Sequence, residues 1–169
     1  MTGDGTLDHD EGARPAVIVR ARPNDLEVLI ALNVEYCAAD GHAFDRETAA
    51  NGFAPLLADD RHGAVWLVHR IGGGSPHDGP DVVDGYAVVA WSWSVEIGGA
   101  EAVLDELYVR THGRGTGSAA IGAILEQCRA HGMKRVVLET ERANERARRL
   151  YARHGFTADD SIWMSRRLP

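Results

Sequence analysis

The sequence predicts a layered α/β (α+β) domain built on a mixed, mostly antiparallel sheet, and three observations carry that reading. Short apolar runs rich in β-branched and aromatic residues, such as Ala64–Val68, alternate with stretches whose apolar residues recur every three or four positions. The middle strands are joined by Gly- and Pro-rich turns too short for a crossover, so they must pair antiparallel. With 169 residues, of which 44% are hydrophobic and 25% charged, and with no internal repeat or linker, the chain suits one core. Residues 1–15 are expected to be a disordered tail, and 16–169 a single domain.

Ala16–Val19 reads as a first strand, and Arg22-Pro23-Asn24-Asp25 as a stop followed by a helix start. Leu26, Leu29, Ile30, Val34 and Cys37 then mark one apolar helix face that ends near Gly41. A second helix from about Asp45 carries Ala49, Phe53 and Leu56, but Gly52 and Pro55 interrupt it and predict a short or kinked element. Ala64–Val68 is a central strand covered on both faces. A Gly/Pro-rich tip over 71–81, containing Ser75 and His77, leads to a strand from about Val83 to Val95. A turn at Gly98-Gly99 opens a strand through Ala102 to Val109, followed by a glycine-rich loop and a helix with Ile121, Ile124, Leu125 and Cys128 on its face. Val136–Leu138 is a further strand, a last helix from about Asn144 stops at Gly155, and a final strand is expected around Ile162–Met164. The expected order is βααβββαβαβ.

The formal net charge of −7 argues against nonspecific binding to nucleic acid or to an anionic membrane, because like charges repel. It suits a cationic substrate and equally well serves solubility. Cys37 and Cys128 stand far apart on apolar faces, which signals neither a disulfide framework nor a metal pair. The eight histidines have no ligand spacing, so no metal is expected. Neither a signal peptide nor a run of membrane-spanning length is present, which makes a cytoplasmic, reducing setting the expectation.

Chemistry concentrates in Leu107-Tyr108-Val109-Arg110-Thr111-His112-Gly113-Arg114-Gly115-Thr116-Gly117-Ser118, a strand that passes through a glycine loop into a helix. Glycines admit positive φ and close backbone approach, and the helix start offers unpaired N–H groups to an anion. Arg114 adds a permanent cation. Gly115-Thr116-Gly117-Ser118-Ala119-Ala120 also fits the dinucleotide pattern Gly-x-Gly-x-x-Ala. Its late position leaves too little chain for the βαβ repeats that a dinucleotide fold needs. A plain strand-to-helix turn is the remaining reading of the loop.

The loop resembles the pyrophosphate loop of the GCN5-related N-acetyltransferase (GNAT) superfamily, Gln/Arg-x-x-Gly-x-Gly/Ala, matched here by His112 to Gly117. His112 departs from the usual first residue, while both glycines are in place. Downstream, Asn144-Glu145-Arg146-Ala147-Arg148-Arg149-Leu150-Tyr151-Ala152-Arg153-His154-Gly155-Phe156 is similar to the family segment Asn-x-x-Ala-x-x-Leu-Tyr-x-x-x-Gly-Phe. The resemblance spans about Gly85 to Leu168, the half that binds the cofactor. It implies helices on both faces of a sheet splayed between its fourth and fifth strands, 102–109 and 134–140, with pantetheine in the wedge. It further implies an N-acetyltransferase that uses acetyl-CoA as co-substrate and acts on a small-molecule or peptide amine by direct attack in a ternary complex. A homodimer is compatible with it.

By the same resemblance, backbone groups of Leu107, Tyr108 and Val109 meet pantetheine, main-chain N–H groups from Arg114 through Gly115, Thr116 and Gly117 to Ser118 hold the pyrophosphate, and Asn144 lies near the thioester. Tyr151 is the candidate general acid, although its helix face with Ala147 and Leu150 equally suits a core aromatic. Glu106, a carboxylate among apolar neighbours, is the candidate base; Asp105 takes that role if a β-bulge exchanges the two. Glu35, Tyr36 and His42, with Trp91, Trp93 and Glu96, are candidates for the acceptor pocket, since acid beside aromatic suits an ammonium ion. They serve equally well as surface, core or dimer contacts. Two further readings stay open: a non-catalytic acyl-CoA sensor, and a nicotinamide or flavin protein that uses the glycine loop.

Overall fold

The protein is described by a computed structural model over residues 16–71 and 81–168. The expected tail at 1–15 and the loop tip with Ser75 and His77 lie outside the described residues. The elements are β1 (Ala16–Arg20), a 3-10 turn (Pro23–Asp25), α1 (Leu26–Asp40), α2 (Arg46–Ala58), β2 (Gly63–Ile71), β3 (Asp81–Ser94), β4 (Gly99–Val109), α3 (Thr116–Ala130), β5 (Arg135–Leu138) and α4 (Glu145–Arg153). The five strands lie in the order β1-β2-β3-β4-β5, antiparallel except for the parallel pair β4–β5.

Strand alternation sends successive side chains to opposite faces, and both faces are covered. Val65 and Leu67 of β2, with Tyr86 and Val88 of β3, pack against Leu29, Ile30 and Leu32 of α1 and Phe53 and Leu57 of α2. On the other face Val68 meets Ala120 of α3, with Ile18, Leu107, Val109 and Ala119 around it. A fully buried leucine such as Leu29 or Leu32 contributes about 1.5–3 kcal/mol relative to an exposed one.

Three sequence expectations need correction. In α1 the buried face takes in Leu32 and Asn33, while Val34 is exposed, because α2 and the sheet cover a wider arc than a single stripe. α2 is neither short nor broken: it runs 13 residues with Pro55 inside its last turn, started by Asp45, whose Oδ1 accepts from Thr48 N at 2.8 Å, and held by buried Phe53 and Leu57. Pro55 removes one helical donor near the end, where little of the ladder remains to be lost. Finally, residues 157–168 form no strand, and Ile162, Trp163 and Met164 are exposed. Three apolar residues give a strand-like signal without showing that any edge is there to pair with.

Two bulges interrupt the β3 ladders. Val68 pairs with Gly85 but His69 pairs with Val83, which leaves Asp84 as the extra residue of β3. Val88 pairs with Glu106 but Val89 pairs with Leu104, which leaves Asp105 as the extra residue of β4. Contacts divide the chain after Glu139. The segment from Thr140, taken by itself, consists of α4, a turn at His154-Gly155 and the irregular stretch that follows.

Candidate active site

β4 pairs with β5 only from Glu101 to Leu104, although β4 continues to Val109. β5 ends at Leu138, the partner of Leu104, and the stretch 105–109 has a strand neighbour on its β3 side alone. The chain then enters the glycine loop. Gly113 and Gly115 take φ of 81° and 80°, values that cost an L-residue about 1–2 kcal/mol. Gly115 is the N-cap of α3 and has no side chain with which to close the helix start. The N–H groups of Arg114, Gly115, Thr116 and Gly117 have no acceptor among the described residues. Ser118 follows in the first turn, half-buried. A run of converging amides at a positive dipole end fits a diphosphate, and the unpaired part of β4 fits an extended amide-bearing tail.

The β4 bulge gives the two carboxylates different surroundings. With Asp105 set aside and exposed, Glu106 falls on the same face as Val88 and Tyr86, under α1, where it is half-buried. Tyr86 Oη donates to Glu106 Oε2 at 2.7 Å, and Asn33 Nδ2 reaches both Tyr86 Oη at 2.9 Å and Glu106 Oε2 at 3.4 Å. Both protein donors therefore reach Oε2, and Oε1 accepts no hydrogen bond among the described residues. Burial raises the Glu106 carboxyl above the ordinary range; the hydrogen bond from Tyr86 pulls it back, Asp105 raises it, and Asn33 and His42 lower it. Tyr36 is pushed up to about 12, first by burial and then by Glu106, Asp40, Asp105 and Cys37. Tyr86 is raised too, by burial and by Glu106, so its proton stays on and it remains a donor. Tyr36, Tyr86 and Tyr108 lie with ring centroids 6.3 to 6.4 Å apart beside the carboxylate.

The model of the Acetyltransferase (GNAT) family matches residues 34–156, most of the chain. The chain belongs to the GNAT family. A solved structure of a putative acetyltransferase from Arthrobacter sp. FB24 is 28% identical, with 94% of this chain and 100% of that one aligned at a TM-score of 0.72. An integron cassette protein from the mobile metagenome of Cole Harbour Salt Marsh is 26% identical over 90% of both chains, at a TM-score of 0.74. The aminoglycoside N-acetyltransferase AAC(6')-Iy, solved in complex with CoA, shares the fold at 15% identity, covering 90% of this chain and 94% of that one with a TM-score of 0.70. No curated protein matches the sequence.

The acceptor candidates of this GNAT chain do not gather in one place. Glu35 is held by Arg110, which donates from Nε at 2.7 Å and from Nη2 at 2.6 Å, and by Tyr108 Oη at 3.2 Å. Arg110 holds that carboxyl below the usual range despite some burial. Tyr36 faces Tyr86 and Tyr108, and His42, at the end of α1, lies 3.5 Å from Asp40. Trp91 stacks on His131 with a centroid distance of 5.3 Å and donates to Asp60 O, Trp93 is 72% exposed, and Glu96 meets Arg135 at 3.3 Å. Trp93 pairs with Ala100 while Val88 pairs with Glu106, so Trp93 stands about 16 Å farther along β3, at 3.3 Å per residue.

Within the segment from Thr140, Asn144 is the N-cap of α4, its Oδ1 accepting from Ala147 N at 3.0 Å. Tyr151 sits edge-on to Phe156 with ring centroids 5.7 Å apart, and burial raises its phenol. Asn33 and Tyr86 are the residues that sequence reasoning missed. Asn33 carried a signal, as a polar residue inside an apolar helix face, whereas Tyr86 looked like any core aromatic of a strand. Among the described residues no group of three His, Cys, Asp or Glu side chains could hold a metal ion, and no helix is long and apolar enough to cross a membrane.

Proposed function

We propose that the protein transfers the acetyl group of acetyl-CoA to a primary amine by direct attack in a ternary complex. The observation that carries this reading is the run of open amides from Arg114 to Gly117 that follows the part of β4 left unpaired beyond the end of β5. Those amides bind the diphosphate, Arg114 adds charge at the same loop, and main-chain groups of Leu107, Tyr108 and Val109 take the pantetheine amides. Glu106, through Oε1, takes one proton from the arriving ammonium, and the tyrosines around it shelter the cation before transfer. As the C–N bond forms and the C–S bond breaks, Tyr151 supplies a proton or hydrogen bond to the leaving sulfur. The nitrogen gives up two protons in all, one taken by Glu106 and released to solvent and the other replacing the proton that Tyr151 gives to the thiol, so the net release is one proton per turnover. Free, buried Cys37 and Cys128 fit the reducing, cytoplasmic setting in which such an enzyme would work.

The test incubates the protein with acetyl-CoA and a panel of polyamines, amino acids, aminoglycosides and peptides, with products read by mass spectrometry. An acetylated amine supports the proposal. A thermal shift with acetyl-CoA but no product from any amine leaves an acyl-CoA sensor, and a shift with NAD in place of CoA overturns the reading altogether.

Two consequences separate the parts of the site. Gly115→Val forces a β-branched residue to φ of 80° at the helix start. The KM and Kd for acetyl-CoA should rise about tenfold or more with kcat at saturation largely kept, and unchanged affinity would count against the loop. Tyr86→Phe removes the donor that lowers Glu106, so the carboxyl rises further. The acid limb of kcat/KM should therefore move to higher pH, and a profile that stays in place would separate Tyr86 from the base.

A further inference from the structure

The geometry points to Asp84 and Thr111 as a positioning pair that sets the entry of the diphosphate loop, so that acetyl-CoA affinity depends on a carboxylate buried in β3. The inference rests on the proposed function and concerns how its loop is held. Asp84 is the bulged residue of β3 and is only 4% exposed. It receives two successive donors at the point where β4 ends: its main-chain oxygen accepts from Arg110 N at 2.7 Å, and its Oδ1 accepts from Thr111 Oγ1 at 2.6 Å. Arg70 Nη1 donates to the same hydroxyl at 3.1 Å, which directs the hydroxyl proton toward Asp84. Next to the pair, Gly85 lets the strands close up, since a Cβ there would stand 1.9 Å from the Tyr108 carbonyl oxygen.

The arrangement carries a cost that stability does not explain. Asp84 Oδ2 is buried and has no hydrogen-bond partner, and a carboxylate without full satisfaction destabilises the fold that buries it. What the carboxylate does is fix a direction. The loop residues His112, Gly113 and Arg114 have no hydrogen bond of their own among the described residues, so the loop takes its course from its two ends. One end is Thr116, 2% exposed, at the start of a helix whose Ala119 and Ala120 pack against Val68, Leu107 and Val109. The other is Thr111 on Asp84. With both ends held, the open amides are aimed before ligand arrives, and affinity reflects that preorganisation. Thr111 lies beyond the end of β4, and its hydroxyl bonds only Asp84 and Arg70 among the described residues, so it can be removed without breaking a hydrogen bond to Glu106.

The test compares Thr111→Val, which removes the hydroxyl, with Thr111→Ser, which keeps it, in the full chain. Kd for acetyl-CoA is measured by calorimetry, and KM for both substrates and kcat are taken from steady-state rates. Thr111→Val should raise Kd and KM for acetyl-CoA about tenfold, leaving kcat at saturation and the acceptor KM near wild type, while Thr111→Ser binds as wild type does. Asp84→Asn combined with Thr111→Val should add little to the single change, because the two residues act through one bond. If Thr111→Val does not fold, Arg70→Gln carries the same comparison with a smaller rise in the same two constants. Binding by Thr111→Val within about twofold of wild type overturns the inference, as does an equal rise in both substrates' KM, which would mark general loosening. Wild-type protein that binds no acetyl-CoA would instead overturn the proposed function.

Discussion

Glu106→Gln should lower kcat/KM for the amine by about 10²–10⁴-fold while leaving acetyl-CoA binding and the fold intact. The amide keeps the shape of the side chain and an oxygen for the bond from Tyr86 Oη, so the buried contacts of Asn33, Tyr86 and Tyr36 survive. What it loses is the capacity to accept a proton. The pH dependence gives an independent reading. Because burial raises the Glu106 carboxyl, the folded protein binds a proton there more tightly than the unfolded chain does. Stability linked to this group is therefore fully present below the unfolded carboxyl pKa and is lost as pH rises through the higher folded value. At neutral pH the ionised carboxylate is a burden, so Glu106→Gln should melt no lower than wild type, and higher if the burden is large. The same ionisation sets the acid limb of kcat/KM, which should lie above the ordinary carboxylate range and vanish in the variant. A variant that keeps wild-type kcat/KM, or a limb at the position of a free carboxyl, would remove Glu106 as the base.

How much of this was legible beforehand depended on whether the cause was local. The loop from His112 to Gly117 declares itself because positive φ at Gly113 and Gly115 is a requirement of single residues, written where it acts. The helix faces of α1 and α3 are nearly as local, since three- and four-residue spacing is set within one element. The proposed base was only half legible. Glu106 stood out as a carboxylate on an apolar strand, but its environment comes from Asn33, 73 residues away, and from Tyr86, 20 residues away. The choice between Asp105 and Glu106 rested on a bulge, and bulges follow from the pairing of two strands rather than from either strand alone. The same holds for Asp84, which reads in sequence as a charge at the polar start of a strand. The strand expected at Ile162–Met164 failed for the converse reason: the local signal was there, and the pairing was not. Glu35 and Trp93 show the limit for binding pockets, because acid and aromatic residues mark an ammonium site only when the fold brings them together, and here one is taken by Arg110 while the other stands about 16 Å along the strand from the Glu106 level, at 3.3 Å per residue.

Tyr151→Phe should lower kcat by about 10²-fold or more at saturating substrates, with the Kd for acetyl-CoA within about twofold of wild type. The expectation starts from α4. Tyr151 lies on the helix face shared with Ala147 and Leu150, and the chain after the helix folds back so that Phe156 N donates to Tyr151 O at 3.1 Å and the two rings meet edge to face. Such packing fixes the ring, and removing one oxygen leaves its apolar contacts intact, so a simple structural role predicts almost no kinetic change. A catalytic role predicts a loss confined to the step in which sulfur departs. Burial keeps the phenol protonated to higher pH than an exposed tyrosine, which is the state a proton donor needs throughout the neutral range. The basic limb of kcat in the wild type should accordingly lie above the ordinary phenol range, and Tyr151→Phe should lose that limb together with the rate. The two base and acid variants then fail differently: Glu106→Gln removes the acid limb, Tyr151→Phe the basic one, and the double variant should be little worse than the slower single if both act in one concerted transfer. Equal losses in kcat and acetyl-CoA affinity would instead identify Tyr151 as a wall of the cofactor site, and the leaving thiolate would have to take its proton from solvent.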